Sequence, residues 1–254
     1  MNLLKMQKLH IKSIIIIFSL ITFHYSLFTI HSSMAQQTGN IFKVETSRGN
    51  YLQSRFLLNL PQGYDTLDRT WPLLLFLHGS GERGELLELV KRNGPPKMIE
   101  EGRQFPFIVV SPQCPEDLRW EAQTGVLDML LQHLVEKYRV DTKRVYVTGL
   151  SMGGQGTWEL AFAYPERFAA IAPICGWADP GRARLIRHLP AWVFHGAKDD
   201  VVPVEESQKM VKALKALGSP VKFTVYPDAG HDAWTETYES GEMWEWLLEQ
   251  KKGH

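Results

Sequence analysis

Two kinds of apolar segment alternate along most of the chain. In the first kind nearly every position is apolar, over stretches shorter than an average helix. Six such segments are predicted as strands: 72–77, 107–110, 144–147, 169–172, 191–194 and 221–225. In the second kind apolar residues recur every three or four positions, as on the buried face of a helix. The clearest examples are 127–138, 211–217 and 243–247.

Strands that lack polar and apolar alternation are typical of parallel sheets. Helices cover both sides of such a sheet, so both faces of each strand are buried. The pattern therefore predicts an α/β fold with an open, mostly parallel, doubly wound sheet and helices on both faces. Functional groups of such folds gather at the carboxyl ends of the strands. An antiparallel hairpin is predicted ahead of this region, since two extended segments between Ile41 and Leu60 flank the turn residues Arg48-Gly49-Asn50.

The first 35 residues have the pattern of a secretory signal peptide. Three lysines between positions 5 and 12 precede a long apolar run, and small residues stand at Ser33 and Ala35, where a cleavage site requires them. We therefore expect cleavage after Ala35, a secreted or periplasmic protein without stable membrane insertion, and a single domain over residues 36–254. The alternative is an uncleaved membrane anchor, because the run is long enough to span a bilayer.

Charge and cysteine content exclude several classes of protein. Lys and Arg number 28 and Asp and Glu also number 28, so the formal net charge of zero gives no basis for binding nucleic acid. The 2 cysteines, Cys114 and Cys175, are too few for a disulfide-rich scaffold or a four-thiolate zinc site. Both lie near predicted strand ends, where we expect packed free thiols, with one disulfide as the alternative.

The motif Gly149-Leu150-Ser151-Met152-Gly153 lies between the predicted strand at 144–148 and a predicted helix at 154–164. A serine at the centre of G-x-S-x-G between a strand and a helix sits on a sharp turn, which exposes its hydroxyl above the sheet. The small residues on either side provide the space that this turn needs. We predict that Ser151 is a nucleophile.

A serine hydroxyl becomes a good nucleophile only when a base, held by a carboxylate, accepts its proton. Asp199 follows the predicted strand at 191–194, and His231 follows the strand at 221–225. Taken singly, Asp199, Asp200 and Asp228 are typical turn-capping residues, and His231 is a typical loop histidine. Their chain order after Ser151, at successive strand ends, favours a Ser-Asp-His triad.

Acyl transfer also needs hydrogen-bond donors for the oxyanion that develops on the substrate. The backbone N–H of Met152 is one candidate, because it directly follows the nucleophile. The other is the N–H of Ser80 in the glycine-rich loop 78–84, with Gly81 as the alternative. This loop lacks the spacing of a nucleotide-binding motif, and the chain has no HExxH motif, so we expect neither an organic cofactor nor a metal. His78 and His195, each before a glycine at a strand end, are predicted to orient their loops through backbone hydrogen bonds.

These motifs resemble the α/β-hydrolase superfamily, and within it the compact bacterial serine carboxylesterases related to dienelactone hydrolase, polyhydroxybutyrate depolymerase and feruloyl or acetylxylan esterases. The segments that carry the resemblance are LHGSGERG (77–84), SPQCPEDLRW (111–120), GLSMGGQGTW (149–158), APICG (172–176), FHGAKDDVVPVEES (194–207) and GHDAW (230–234). The resemblance implies that Asp199 is the acid, because Val202 and Pro203 follow it at the family's spacing. It also implies that the loop with Trp120 shapes the pocket, although packing in the core is the alternative for that ring. Trp177 stands where relatives often have glycine, and we expect it to line or narrow the pocket.

The sequence therefore predicts a secreted serine esterase that forms an acyl-enzyme intermediate. Its expected partner is a small-molecule or polysaccharide-linked ester, with acyl or feruloyl groups on plant polysaccharide suggested by family analogy alone. One alternative is a peptidase of the prolyl-oligopeptidase type, for which residues 36–254 leave no room for a propeller. Another is a catalytically silent binding protein, which would usually lack a triad member. The oligomeric state is left open.

Overall fold

The computed structural model of the protein describes residues 36–45 and 51–253. The predicted signal peptide and the turn at 48–50 lie outside the described residues. Within the described ranges, no helix combines the length and the apolar character that crossing a bilayer requires.

Eight strands form one sheet in the order β1-β2-β4-β3-β5-β6-β7-β8. The strands are β1 (Gln37–Glu45), β2 (Tyr51–Asn59), β3 (Trp71–Leu77), β4 (Ile108–Gln113), β5 (Val140–Leu150), β6 (Ala170–Ile174), β7 (Ala191–Gly196) and β8 (Val221–Tyr226). Strands β3 to β8 pair with one another in parallel. Strand β2 pairs antiparallel with both β1 and β4. All six strands predicted from apolar segments are present, and the predicted hairpin is the β1–β2 pair.

Helices cover both faces of this sheet. They are α1 (Gly94–Glu100), α2 (Thr124–Lys137), α3 (Met152–Ala163), α4 (Val204–Ala216), α5 (Trp234–Glu239) and α6 (Glu242–Glu249). Successive residues of β3 point to opposite faces, as the strand pleat requires. Leu73, Leu75 and Leu77 pack in one cluster with residues of α2, α3 and α4. Leu74 and Phe76 pack in a second cluster with residues of α1, α5 and α6.

The predicted fold class is confirmed: an α/β-hydrolase fold with a mostly parallel sheet and an antiparallel pair at its N-terminal edge. Every residue of β3, β4, β6 and β7 is buried, which explains why these strands read as continuous apolar runs. The outermost strand, β8, is only partly buried, because no strand within residues 36–45 and 51–253 pairs with its outer edge. Parallel strands direct their carboxyl ends to one side of the sheet, and the loops after β3, β5, β7 and β8 meet there.

Candidate active site

Ser151 occupies the sharp turn between β5 and α3. Its backbone has φ 54° and ψ −116°, a conformation with positive φ that residues other than glycine rarely adopt. A strained conformation of this kind costs on the order of 1–3 kcal/mol and persists because the surrounding structure imposes it. Gly153 allows the turn to approach β3, since a Cβ at this position would lie 1.8 Å from the carbonyl oxygen of Leu77. The helix begins at Met152, two residues earlier than the sequence predicted.

His231 lies in the loop after β8 and hydrogen-bonds to two of the predicted site residues. Its Nε2 is 2.9 Å from Ser151 Oγ, and its Nδ1 is 2.8 Å from Asp199 Oδ2. An ionised carboxylate only accepts hydrogen bonds, so Nδ1 carries the ring hydrogen and Nε2 is left as an acceptor for the serine hydroxyl. In this tautomer the imidazole is oriented to act as a general base toward Ser151.

Asp199 is fixed from below by main-chain donors. Its side chain is fully buried, and its Oδ1 accepts hydrogen bonds from the N–H groups of Val201 at 3.0 Å and Val202 at 2.9 Å. Burial alone would raise the pKa of this carboxyl, but the hydrogen bonds from His231 and from the two N–H groups outweigh it and lower the pKa below its ordinary value. The carboxylate therefore stays ionised beside the imidazole.

The other two candidate aspartates lie elsewhere. Asp200 is exposed, and the side chain of Asp228 is 90% exposed and pairs with Lys198 Nζ at 2.7 Å. Of the three aspartates considered from the sequence, only Asp199 contacts His231 in the described part of the chain.

The loops that carry Asp199 and His231 touch through their main chains. Lys198 N donates to Ala229 O at 2.9 Å, and a Cβ on Gly196 would lie 2.1 Å from Gly230 O. Only a glycine at position 196 permits this approach. The aspartate and the histidine are thus held together by backbone contacts as well as by their own hydrogen bond.

A buried layer lies beneath the aspartate and the histidine, and its contacts with the triad were not recognised from the sequence. The prediction that His195 orients its loop through the backbone is confirmed, because its Nε2 lies 2.8 Å from Val202 O. Cys175 Sγ donates a hydrogen bond to His231 O at 3.1 Å, and His195 Nε2 lies 3.2 Å from Asp199 Oδ2. Ligand atoms of Cys175, His195 and Asp199 lie within 4.8 Å of one another, which is a spacing that could also hold a metal ion. Each of these atoms already has a hydrogen-bond partner, so we assign the three side chains to the hydrogen-bond network.

The loop after β3 is held by His78, as the sequence predicted. His78 Nε2 accepts from the N–H of Cys114 at 3.0 Å, so Nδ1 carries the hydrogen that bonds Gly79 O at 2.6 Å. Burial lowers the pKa of His78 to about 4, so the ring is neutral at pH 7 and this tautomer is stable.

Both predicted oxyanion donors stand at the start of a helix. Ser80 opens a 3₁₀ helix (Ser80–Glu82), and Met152 opens α3. The first N–H groups of a helix have no partner within it, and the partial positive charge of the helix end favours an anion there. The role of both N–H groups in binding an oxyanion stays a prediction.

Trp120 does not lie where a substrate could contact it, because its side chain is only 1% exposed. Its Nε1 donates to His78 O at 2.9 Å, and its ring packs edge-on against the His78 ring with centroids 4.9 Å apart. The prediction of a pocket-lining role is replaced by the packing alternative. The ring supports the loop that carries Ser80.

Trp177 is partly exposed and follows Gly176, which packs against the first turn of α3. The guanidinium of Arg119 lies 5.5 Å from the centre of its ring. This contact joins the loop after β4 to the loop after β6. A role for Trp177 in substrate contact stays a prediction.

Comparison with known proteins gives a family and several relatives. The model of the dienelactone hydrolase family matches residues 112–244. A bifunctional acetylxylan esterase/xylanase from Neocallimastix patriciarum is 30% identical over 146 residues, which cover 56% of this chain and 21% of that protein. A probable feruloyl esterase C from Aspergillus terreus is 25% identical over 187 residues, covering 70% of this chain and 68% of that protein.

The crystal structure of a thermostable esterase superposes with a TM-score of 0.72 and 33% sequence identity, covering 84% of this chain and 63% of that one. The chain thus spans about a fifth of the length of the bifunctional relative and less than two thirds of the thermostable esterase.

Proposed function

The chain belongs to the dienelactone hydrolase family, and from this premise we propose that it hydrolyses carboxylic esters through Ser151, His231 and Asp199. The observation that carries the proposal is the unbroken hydrogen-bonded path from Ser151 Oγ through His231 to Asp199 Oδ2, with distances of 2.9 and 2.8 Å. The esterase relatives and the esterase structural neighbour support the same reaction class.

In the proposed reaction, Ser151 Oγ attacks the ester carbonyl while His231 Nε2 accepts the hydroxyl proton. Asp199 holds the ring in the required tautomer and stabilises the imidazolium that forms. The N–H groups of Met152 and Ser80 bind the oxyanion of the tetrahedral intermediate. His231 then gives its proton to the leaving alcohol, and the acyl group remains on Ser151.

A water molecule completes the cycle. His231 takes a proton from this water, which attacks the acyl-enzyme carbonyl. His231 then returns the proton to Ser151 Oγ as the acyl bond breaks, which releases the carboxylic acid and restores the serine hydroxyl. No step in this scheme requires a metal or an organic cofactor.

We further propose an acyl or feruloyl ester on plant polysaccharide, or a small ester of the same acids, as the substrate. The names of the acetylxylan and feruloyl esterase relatives support this choice. The signal-peptide pattern of residues 1–35 supports a location outside the cytoplasm, where such esters are met.

The test is initial-rate hydrolysis of p-nitrophenyl acetate, butyrate and octanoate, methyl ferulate, acetylated xylan and a prolyl anilide by residues 36–254. Ser151→Ala should lower kcat for the preferred ester by about 10⁴-fold or more, because the nucleophile is lost. The exposed Ser240→Ala is the matched control and should keep the wild-type rate.

A fluorophosphonate should also label wild-type protein once, at Ser151, as read by mass spectrometry. Turnover of the anilide but not of the esters would replace the proposal with a peptidase. Equal background rates for wild type and Ser151→Ala would indicate a catalytically silent binding protein.

A further inference from the structure

We propose that His195 is a positioning residue for the triad, which holds the Asp199 loop through a hydrogen bond to Val202 O and is itself held in the donating tautomer by Ser207. The inference rests on the proposed function, because it assigns a role in the same reaction. It adds two side chains that the sequence motifs do not assign to catalysis.

His195 lies at the carboxyl end of β7 with a side chain that is completely buried. Its Nε2 is 2.8 Å from Val202 O and 3.2 Å from Asp199 Oδ2. Both partners only accept hydrogen bonds, since one is a carbonyl and the other an ionised carboxylate. A bare Nε2 would face two acceptors, so the ring hydrogen must be on Nε2.

The opposite ring nitrogen explains why this tautomer is kept. His195 Nδ1 lies 2.7 Å from Ser207 Oγ, in the first half of α4, and Ser207 is also completely buried. Nδ1 without a hydrogen is an acceptor, so the serine hydroxyl donates to it. The other acceptor near this hydroxyl, Gly176 O, is farther away at 3.4 Å. The hydroxyl therefore selects the neutral tautomer with its hydrogen on Nε2.

The bond to Val202 O acts on the segment that holds Asp199. Asp199 accepts three hydrogen bonds, from the N–H groups of Val201 and Val202 to Oδ1 and from His231 to Oδ2. His195 Nε2 also lies 3.2 Å from Oδ2, so the ring limits how far that oxygen can rotate away from His231. Without His195, Val202 would lose the hydrogen bond at its carbonyl, and Asp199 would gain freedom to move away from His231.

Packing alone would account for a buried histidine at this place, and the test must separate the two roles. His195→Leu removes the donor and keeps an apolar side chain of similar reach. His195→Gln keeps an N–H donor at a comparable distance from the backbone. Ser207→Ala is a smaller change, which removes the donor to Nδ1 and leaves the histidine in place. His188→Gln is the matched control, because that histidine is half exposed and lies beside the opposite end of the sheet.

Three readouts are compared: kcat and KM on the best ester, the rate of fluorophosphonate labelling of Ser151, and the far-downfield proton resonance of His231 Nδ1–H in NMR spectra. His195→Leu should lower kcat and the labelling rate by about twofold to tenfold, the range expected for one neutral hydrogen bond that holds the Asp199 loop, with KM unchanged. His195→Gln should recover most of the loss, and Ser207→Ala should fall between wild type and His195→Leu. The downfield resonance should move in His195→Leu and return toward its wild-type position in His195→Gln.

Equal loss in the Leu and Gln variants, or unchanged rates with a lower unfolding midpoint, would overturn the proposal and leave a packing role. If His195→Leu fails to fold, Ser207→Ala and His195→Gln still decide the question through the labelling rate and the resonance. Failure of the proposed function is separable, because a wild-type protein without ester turnover would still show the downfield resonance and its dependence on His195.

Discussion

Replacing Asp199 with asparagine tests the hydrogen bonding of the triad directly. In neither of its two orientations can the asparagine amide reproduce all the hydrogen bonds that the carboxylate accepts. With the amide oxygen in the Oδ1 position, the N–H groups of Val201 and Val202 keep their acceptor. The NH₂ group then takes the Oδ2 position and faces His231 Nδ1 at 2.8 Å. Two donors cannot bond to each other, so the hydrogen of His231 moves to Nε2, where it faces Ser151.

In that tautomer His231 can no longer accept the serine proton. We expect Asp199→Asn to lower kcat by about 10⁴-fold with little change in KM, as expected for a triad whose histidine is held in the wrong tautomer. His231 regains a partner in the amide, and His195 keeps its hydrogen bond to Val202 O. The N–H groups of Val201 and Val202 then bond a neutral amide oxygen instead of a carboxylate, which should lower the free energy of unfolding by about 1–3 kcal/mol.

The assays are ester turnover, the rate of fluorophosphonate labelling and urea denaturation. Asp200→Asn and Asp228→Asn are the controls, because both side chains are exposed and neither contacts His231. Retention of activity within tenfold of wild type in Asp199→Asn would refute the tautomer argument. A large loss in Asp228→Asn instead would move the acid to the loop that carries the histidine.

Three further predictions follow from buried groups near the site. Gly153→Ala should abolish activity and destabilise the fold by more than about 4 kcal/mol, since the added methyl would lie 1.8 Å from a carbonyl oxygen of β3; circular dichroism melting would show no loss if the turn can widen. The pKa of His78 is lowered by burial to about 4, so the unfolded chain binds a proton that the folded protein excludes, and stability should fall by up to about 3 kcal/mol as the pH drops from 6.5 to 4. Urea titrations of wild type and His78→Gln should differ in this window, and equal slopes would contradict the assignment. Cys114 and Cys175 are fully buried with pKa values raised by burial to about 12, so a thiol reagent should label neither in the folded protein and both after denaturation; rapid labelling of the native state would contradict the packing.

The parallel strands and the helix-covered sheet could be predicted because burial on both faces of a strand leaves a continuous apolar run in the sequence. The short helix α1 left no such trace, since its first turn contains Pro95 and Pro96, which usually signal a break. Prolines are acceptable there because the first N–H groups of a helix have no intrahelical partner.

Positions in the chain identified Ser151, Asp199 and His231 as neighbours, since parallel strands bring their carboxyl ends together. Position in the chain does not show whether a side chain points into the core or toward the site. Trp120 and His195 both lie in segments next to the site, yet the Trp120 ring is buried beneath the loop that carries Ser80, and the His195 ring is buried beneath Asp199. Such orientations depend on contacts between distant segments, which periodicity does not record.

The main-chain contact between the loops after β7 and β8 indicates which parts of the site can be substituted without moving Asp199 and His231. Asp199 and His231 are kept in register by backbone atoms, and this contact restricts the identity of one residue, Gly196, where a Cβ would lie 2.1 Å from Gly230 O. The loops after β4 and β6 are joined differently, through side chains, with the Arg119 guanidinium 5.5 Å from the centre of the Trp177 ring. We therefore expect that residues of these two loops can be diversified in a library while the base and its acid stay in place.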